Sequence, residues 1–180
     1  MYKVIKNYIK KHYDTPPTME FTIVHVDLGT YTGTVATLKG VKSASYHDYA
    51  RRKVAEIVEF VPIKFSAWHS GVVSKPIQAV VDLLKGRNPN RVAYGICYEG
   101  RPVDKKGRIA RNWDRASEYG AVDGQSATDE QIDMLARQIM AKGMGDKPIF
   151  SHVDVTSYKP KVVKGLASVY KKYLVQFFCN

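Results

Sequence analysis

Phe21-Thr22-Ile23-Val24-His25-Val26-Asp27-Leu28-Gly29-Thr30 is an apolar run that follows Pro16-Pro17 and leaves through Leu-Gly-Thr. A short apolar run bounded in this way reads as a buried strand. Side chains alternate between faces along a strand, so His25 and Asp27 share one. A near copy stands toward the other end: Pro148-Ile149-Phe150-Ser151-His152-Val153-Asp154-Val155. Read as a strand, it puts His152 and Asp154 on one face as well. Two core strands that each present His-x-Asp can bring two imidazoles to one point. The alternative is a pair of hydrogen-bonded core histidines.

The rest of the composition bounds what such a pair can belong to. The chain has 180 residues, enough for one domain with its own core, and 44% of them are hydrophobic, which excludes global disorder. No apolar run reaches transmembrane length, so membrane insertion is not expected. The N-terminal MYKVIKNYIKKHY is basic but has no continuous apolar segment, and reads as mature protein made in the cytoplasm without a signal peptide. Cys97 and Cys179 are the only cysteines, so no disulfide framework is implied. The formal charge of +11 favours a polyanionic partner: an anionic cell wall, a membrane surface or nucleic acid. No motif of a nucleic-acid-binding fold is visible, which ranks that partner last.

The chain reads as a single domain over 1–180, with a basic helix and Pro-Pro linker in 1–18 and the core in 20–178. Tyr2, Ile5, Tyr8, Ile9 and Tyr13 fall on one helical stripe. A short helix is expected around Thr34–Lys39, closed by Gly40. Ser43–Tyr49 and Val54–Val61 read as a hairpin across Arg51-Arg52-Lys53. Ile77–Lys85 has helical spacing and stops at Gly86. Val92–Glu99 is a strand with Ala93, Gly95, Cys97 and Glu99 on one face. Residues 100–125 form a long polar loop whose basic part, with Trp113, suits an extended substrate. Thr128 and Gln131 match a capping box. They open a helix whose buried stripe is Ile132, Leu135, Ala136, Ile139 and Met140, with Gly143 at its end. A last helix is expected from Pro160. The sum is an α/β domain: a mixed central sheet of about five strands flanked by helices.

Six stretches, in order, resemble the zinc-dependent N-acetylmuramoyl-L-alanine amidases, the family of phage amidase-type lysozymes and peptidoglycan recognition proteins. They are TIVHVDLGTYTGTVATLKG, SASYHDY with VAEIVEFVP, SAWHSG, AYGICYEG, ATDEQIDMLARQI and FSHVDVTSYKPK. SAWHSG is the most specific of them, similar to the family's Ala-Trp-His-Ala-Gly loop.

The resemblance implies a peptidoglycan hydrolase of the phage lytic, endolysin type, acting at the bacterial cell wall and so antimicrobial. It would cut the amide between N-acetylmuramic acid and L-alanine with zinc as cofactor. His25 and His152 would be zinc ligands. Glu99, or the residue at Cys97, would take the proton of the attacking water. Tyr46 would lie near the metal, Lys159 would face the developing oxyanion, and His69 with Trp68 would contact substrate.

The chain departs from the family in two places. The family's last motif ends in Lys-x-Asp or Lys-x-Cys, whose final residue is the third ligand, and here the stretch is Lys159-Pro160-Lys161. The family glutamate that best fits the base position aligns with Cys97. Three readings follow. Cys97, Asp27 or Asp154 completes the metal site; the domain binds wall fragments without cutting them; or Cys97 acts as a nucleophile beside a histidine.

Overall fold

The predicted strand forms as β3 (Phe21–Asp27), inside a six-stranded sheet. The computed structural model describes residues 2–40, 44–104, 106, 108–109, 121–157 and 159. Its other strands are β1 (Lys3–Lys6), β2 (His12–Tyr13), β4 (Asp48–Ala50), β5 (Glu56–Glu59), β6 (Ser66–Ala67), β7 (Ala93–Glu99), β8 (Pro102–Asp104), β9 (Ala121–Gly124) and β10 (Ile149–Ser151). The helices are α1 (Tyr31–Lys39), α2 (Gln78–Leu84), α3 (Pro89–Val92), α4 (Asp129–Ala141) and α5 (His152–Val155). The main sheet runs β1-β5-β4-β7-β3-β10; β4 and β5 are antiparallel and every other pairing is parallel. This is the expected mixed α/β architecture with one strand more than the sequence suggested.

Each face of the sheet buries a different set of side chains. Val24 of β3 and Tyr94, Ile96 and Tyr98 of β7 pack under Ile132, Leu135, Ala136 and Ile139 of α4. On the opposite face Phe21 and Ile23 meet Val80 and Leu84 of α2, while Tyr49, Val58 and Cys97 lie with Leu38 of α1. Each such aliphatic side chain contributes about 1.5–3 kcal/mol on burial. His25 shares the parity of Phe21 and Ile23 and is the register partner of Cys97. It therefore lies on this second face, with its neighbours' apolar clusters on either side.

The extra strand is β1, and it corrects the reading of residues 2–13 as a helix. Lys3–Lys6 pairs parallel with Glu56–Glu59, and the backbone N–H groups of Asn7 and Ile9 continue onto Glu59 and Phe60. The exposed edge of β5 offers a full ladder of backbone partners, a larger gain than a short amphipathic stripe provides alone. The lysines that looked like a helix's wet face now line a sheet edge, where they discourage pairing with another chain.

Other elements differ in detail: the strand expected over Ser43–Tyr49 forms only as β4, Asp48–Ala50. α1 begins at Tyr31, capped by Thr30, whose side chain accepts from Gly33 N at 3.3 Å. It ends at Gly40 with φ of −73°, so the glycine's left-handed freedom is not used there. α4 has its capping box, and Gly143 takes φ of 70° beyond its end. Its buried arc is rotated from the predicted stripe: Met134 and Gln138 are inside and Met140 is 38% exposed. Gln138 is held in by the Tyr2 hydroxyl, which donates to its Oε1 at 2.9 Å. The 100–125 segment carries the antiparallel pair β8 and β9. Trp113, Lys161 and the predicted last helix from Pro160 lie outside the described residues.

One buried charge group ties α4's end to the hairpin. Lys142 reaches Glu59 and lies 3.7 Å from Asp48, which is fully buried; Tyr8 donates to Glu59 at 2.7 Å, and Tyr94 donates to Asp48. Removing the cation leaves two carboxylates without their counter-charge. Lys142→Met is therefore expected to cost about 3–5 kcal/mol in a urea unfolding series. A loss below about 1 kcal/mol would show that the group contributes little.

Candidate functional site

Two strands deliver the two histidines to the carboxyl end of the parallel sheet, where open α/β sheets place their ligands. His25 stands near the end of β3. His152 is placed differently from the prediction. β10 stops at Ser151, whose N–H donates to Asp154 Oδ2 at 2.7 Å, and His152 opens the short helix α5. His152 and Asp154 thus do not share a strand face, and Asp154 is occupied in capping. A strand end and a helix start, not matched strand parity, bring the imidazoles together.

Their contact is close. His25 Nδ1 lies 2.9 Å from His152 Nδ1. The other nitrogen of His25, Nε2, lies 3.1 Å from His69 Nδ1. The row ends on carbonyls at both sides: His152 Nε2 is 2.9 Å from Ser70 O, and His69 Nε2 is 3.3 Å from Ala93 O. A carbonyl only accepts, so each end needs a ring N–H. Filling all four links takes four protons, and three neutral imidazoles carry three.

Adding the fourth proton is opposed. Burial, with the neighbouring histidines, holds His25 and His69 well below the usual imidazole range, and burial brings His152 down to about 4. The neutral row leaves one link without a proton. When Nε2 carries the proton on all three rings, the open link is the His25–His152 pair, and two Nδ1 lone pairs face each other. That is a donor set for a cation. The separation of 2.9 Å is within about half an ångström of the ~3.3 Å expected between two imidazole nitrogens on one tetrahedral zinc. Among the described residues no group of three His, Cys, Asp or Glu side chains is arranged to hold a metal. The described chain thus offers two ligands.

The loop after β6 supports this row. Asn90 Oδ1 accepts from both His69 N, at 3.0 Å, and Ser70 N, at 2.8 Å. The His69 ring rests against Gly95 of β7, where a Cβ would stand 2.4 Å from the ring carbon Cγ. Sequence reasoning missed Asn90 and the part played by Gly95. A lone glycine inside a strand was the available signal, since it marks a close approach of something to the backbone.

The remaining predicted residues are distributed as follows. His69, expected to touch substrate, is 5% exposed and faces His25. Trp68 is half-buried and packs edge-on to Tyr13, with ring centroids 5.6 Å apart. The Tyr46 ring lies 5.2 Å from that of His25, and burial pushes its phenol well up, keeping it neutral. Cys97 is fully buried; burial and the charge of Asp27 push its thiol well up, which keeps it neutral and makes it no ready nucleophile. Asp27 accepts from Thr34 and, at 2.8 Å, from Tyr49. Glu99 is the register partner of Asp27, beyond the His25–Cys97 pair. Its two carboxylate oxygens each accept a backbone N–H, from Tyr31 at 3.0 Å and Arg52 at 2.9 Å. Lys159 is close enough for its charge to disfavour protonation of both His25 and His152. His47, read as structural, donates to Phe65 O and accepts from Gly95 N at 2.9 Å, and burial holds it at about 4.

These buried neutral histidines set a pH dependence. Each has a folded-state value below the ordinary 6.5, so its contribution to stability is complete above 6.5 and is lost as the pH falls through the folded value. For His47 and His152 that window runs from 6.5 down to about 4. Every unit within it costs about 1.4 kcal/mol for each such group. Unfolding free energy is expected to be level above pH 7 and to fall steeply from 6.5 to 4. A level curve down to pH 4 would contradict the buried neutral row.

With this geometry the chain can be set beside known proteins. The profile of the N-acetylmuramoyl-L-alanine amidase family matches residues 13–162. No curated protein sequence matches the chain. Solved structures with a similar fold include AmpD, at 20% identity over 93% of each chain with a TM-score of 0.55. The Staphylococcus aureus hydrolase AmiA is 14% identical, with 97% of this chain and 84% of that one covered and a TM-score of 0.56. A mutant endolysin from Bacillus subtilis is 15% identical over 97% of this chain and 98% of the other, at 0.55. At these identities the structural likeness speaks for the fold. Among the described residues no helix is long and apolar enough to cross a membrane.

Proposed function

The chain belongs to the N-acetylmuramoyl-L-alanine amidase family, and from that premise we propose that it hydrolyses the amide joining the lactyl group of muramic acid to the first L-alanine of the peptide stem. The supporting observation is the pair of ring nitrogens, His25 Nδ1 and His152 Nδ1, meeting at 2.9 Å on the carboxyl end of the sheet. His25 and His152 would hold the family's zinc, which when bound would supply Lewis-acid polarisation of the scissile carbonyl and a lowered pKa for water. The protein's part is to keep both rings neutral by burial and to exclude bulk water from the pair. Lys159 brings positive charge to the same place, the sign needed beside a carbonyl oxygen that gains negative charge. Tyr46, a neutral phenol beside His25, has its hydroxyl hydrogen-bonded to the Cys97 side chain. Action at the bacterial cell wall in the manner of a phage endolysin follows from this substrate, and a +11 chain suits an anionic wall polymer.

One observation favours a second reading, binding of peptidoglycan without cleavage. Cys97 is a neutral thiol where the family resemblance puts a glutamate, and both oxygens of Glu99 are engaged by backbone N–H groups. Neither residue stands as a free carboxylate beside the histidine pair.

The test is release of free alanine N-termini from purified peptidoglycan by zinc-supplemented protein. Release is expected, with His152→Ala lowering it by at least about 100-fold. Retention on the wall without release supports the second reading. Release unchanged in both His25→Ala and His152→Ala would remove the pair from the reaction. Lys161→Asp restores the family's acidic residue and is expected to tighten zinc binding in a chelator competition.

A further inference from the structure

We propose that Asn90, His69 and Ser70 form one brace that decides which ring nitrogens His25 and His152 turn toward each other, with His69 a positioning residue and not a substrate contact. The inference rests on the metal reading above and extends it to the groups behind the two ligands.

Consecutive residues of the brace serve different imidazoles. His69 meets His25 through its own ring, Nδ1 to Nε2 at 3.1 Å, and Ser70 meets His152 through its carbonyl at 2.9 Å. The two backbone N–H groups that carry them donate to a single atom, Asn90 Oδ1. A displacement of one contact therefore carries the other with it. The brace is also pinned from behind. With no side chain at Gly95, the His69 ring lies against β7 where a Cβ would meet it at 2.4 Å. Its Nε2 ends on Ala93 O at 3.3 Å. Only 5% of His69 is exposed, which leaves substrate no approach to it.

Proton bookkeeping assigns each member a role. For two Nδ1 lone pairs to face one cation, His25 and His152 must each carry their proton on Nε2. Ser70 O takes the proton of His152. His25 needs an acceptor for its Nε2–H, and that acceptor is His69 Nδ1, which stays bare because the His69 proton lies on Nε2 toward Ala93 O. His69 is therefore a histidine for a reason: it accepts on one nitrogen and donates on the other, across a buried gap between a ring and a carbonyl. Partners of this kind behind metal-bound imidazoles are typically worth 10–100-fold in metal affinity.

Two variants separate this role from simple packing. Asparagine places an amide oxygen near the position of a histidine Nδ1, and so keeps the acceptor. Leucine keeps the volume and removes it. The dissociation constant for zinc, measured by competition with a chromophoric chelator, is expected to rise about 10–100-fold in His69→Leu. In His69→Asn most of that loss should be recovered. Imidazole 15N spectra of the zinc-loaded wild type are expected to show Nε2–H on His25, His152 and His69, with a bare Nδ1 on His69. In His69→Leu the His25 signals should broaden or shift while those of His47 stay in place. Should His69→Leu fail to fold, the wild-type spectrum alone decides: a protonated His69 Nδ1 overturns the proposal. Equal zinc affinity and an unchanged His25 spectrum in folded His69→Leu overturn it as well, with the metal reading intact. Failure of the wild type to take up zinc overturns the metal reading and this inference together.

Discussion

Three imidazoles in a row between two backbone carbonyls, His25 and His69 buried and His152 half-buried, are one proton short of a full set of hydrogen bonds. Ser70 O and Ala93 O fix the ends, and His152, His25 and His69 fill the space between. An extra proton would complete the row, but it would put a charge where burial strongly penalises one. The unfilled link is thus a property of the folded chain. At the His25–His152 contact the proposed zinc would fill that link, taking both Nδ1 lone pairs in place of the missing proton.

The fold is arranged around keeping that row in place. β3 and β10 pair in parallel, so their carboxyl ends come out together and set His25 beside the start of α5. β7 lies on the other side of β3 and supplies both Gly95, against which His69 rests, and Ala93 O. The face opposite is sealed by α4 on Val24, Ile96 and Tyr98. Glu99, held by two backbone N–H groups, ties the start of α1 and the turn after β4 to the same end of the sheet. In the described structure it anchors these loops, with both carboxylate oxygens engaged.

Much of this was legible in the sequence, and the failures have physical causes. β3, β7 and α4 announce themselves through apolar runs and a capping box, signals that depend on neighbouring residues alone. His25 and His152 stand out by their repeated context, although strand parity orients only His25 and the start of α5 places His152. Asp154 accepts from the Ser151 N–H and stops β10, and a side-chain cap of this kind looks in sequence like one more alternating strand position. β1 was misread because a strand at a sheet edge is defined by its partner, β5, more than fifty residues away. Asn90 carries no periodic signal at all; its importance appears only when two backbone N–H groups are seen to converge on it.

The central claim is that the lone pairs of His25 and His152 face one point and accept a metal there. Anomalous diffraction at the zinc absorption edge, from crystals grown with zinc, tests it most directly. A single strong peak bridging His25 Nδ1 and His152 Nδ1, with His69 Nδ1 within hydrogen-bond reach of His25 Nε2, is the predicted result. A zinc peak elsewhere, or an empty contact between the two rings in zinc-saturated crystals, would contradict the account.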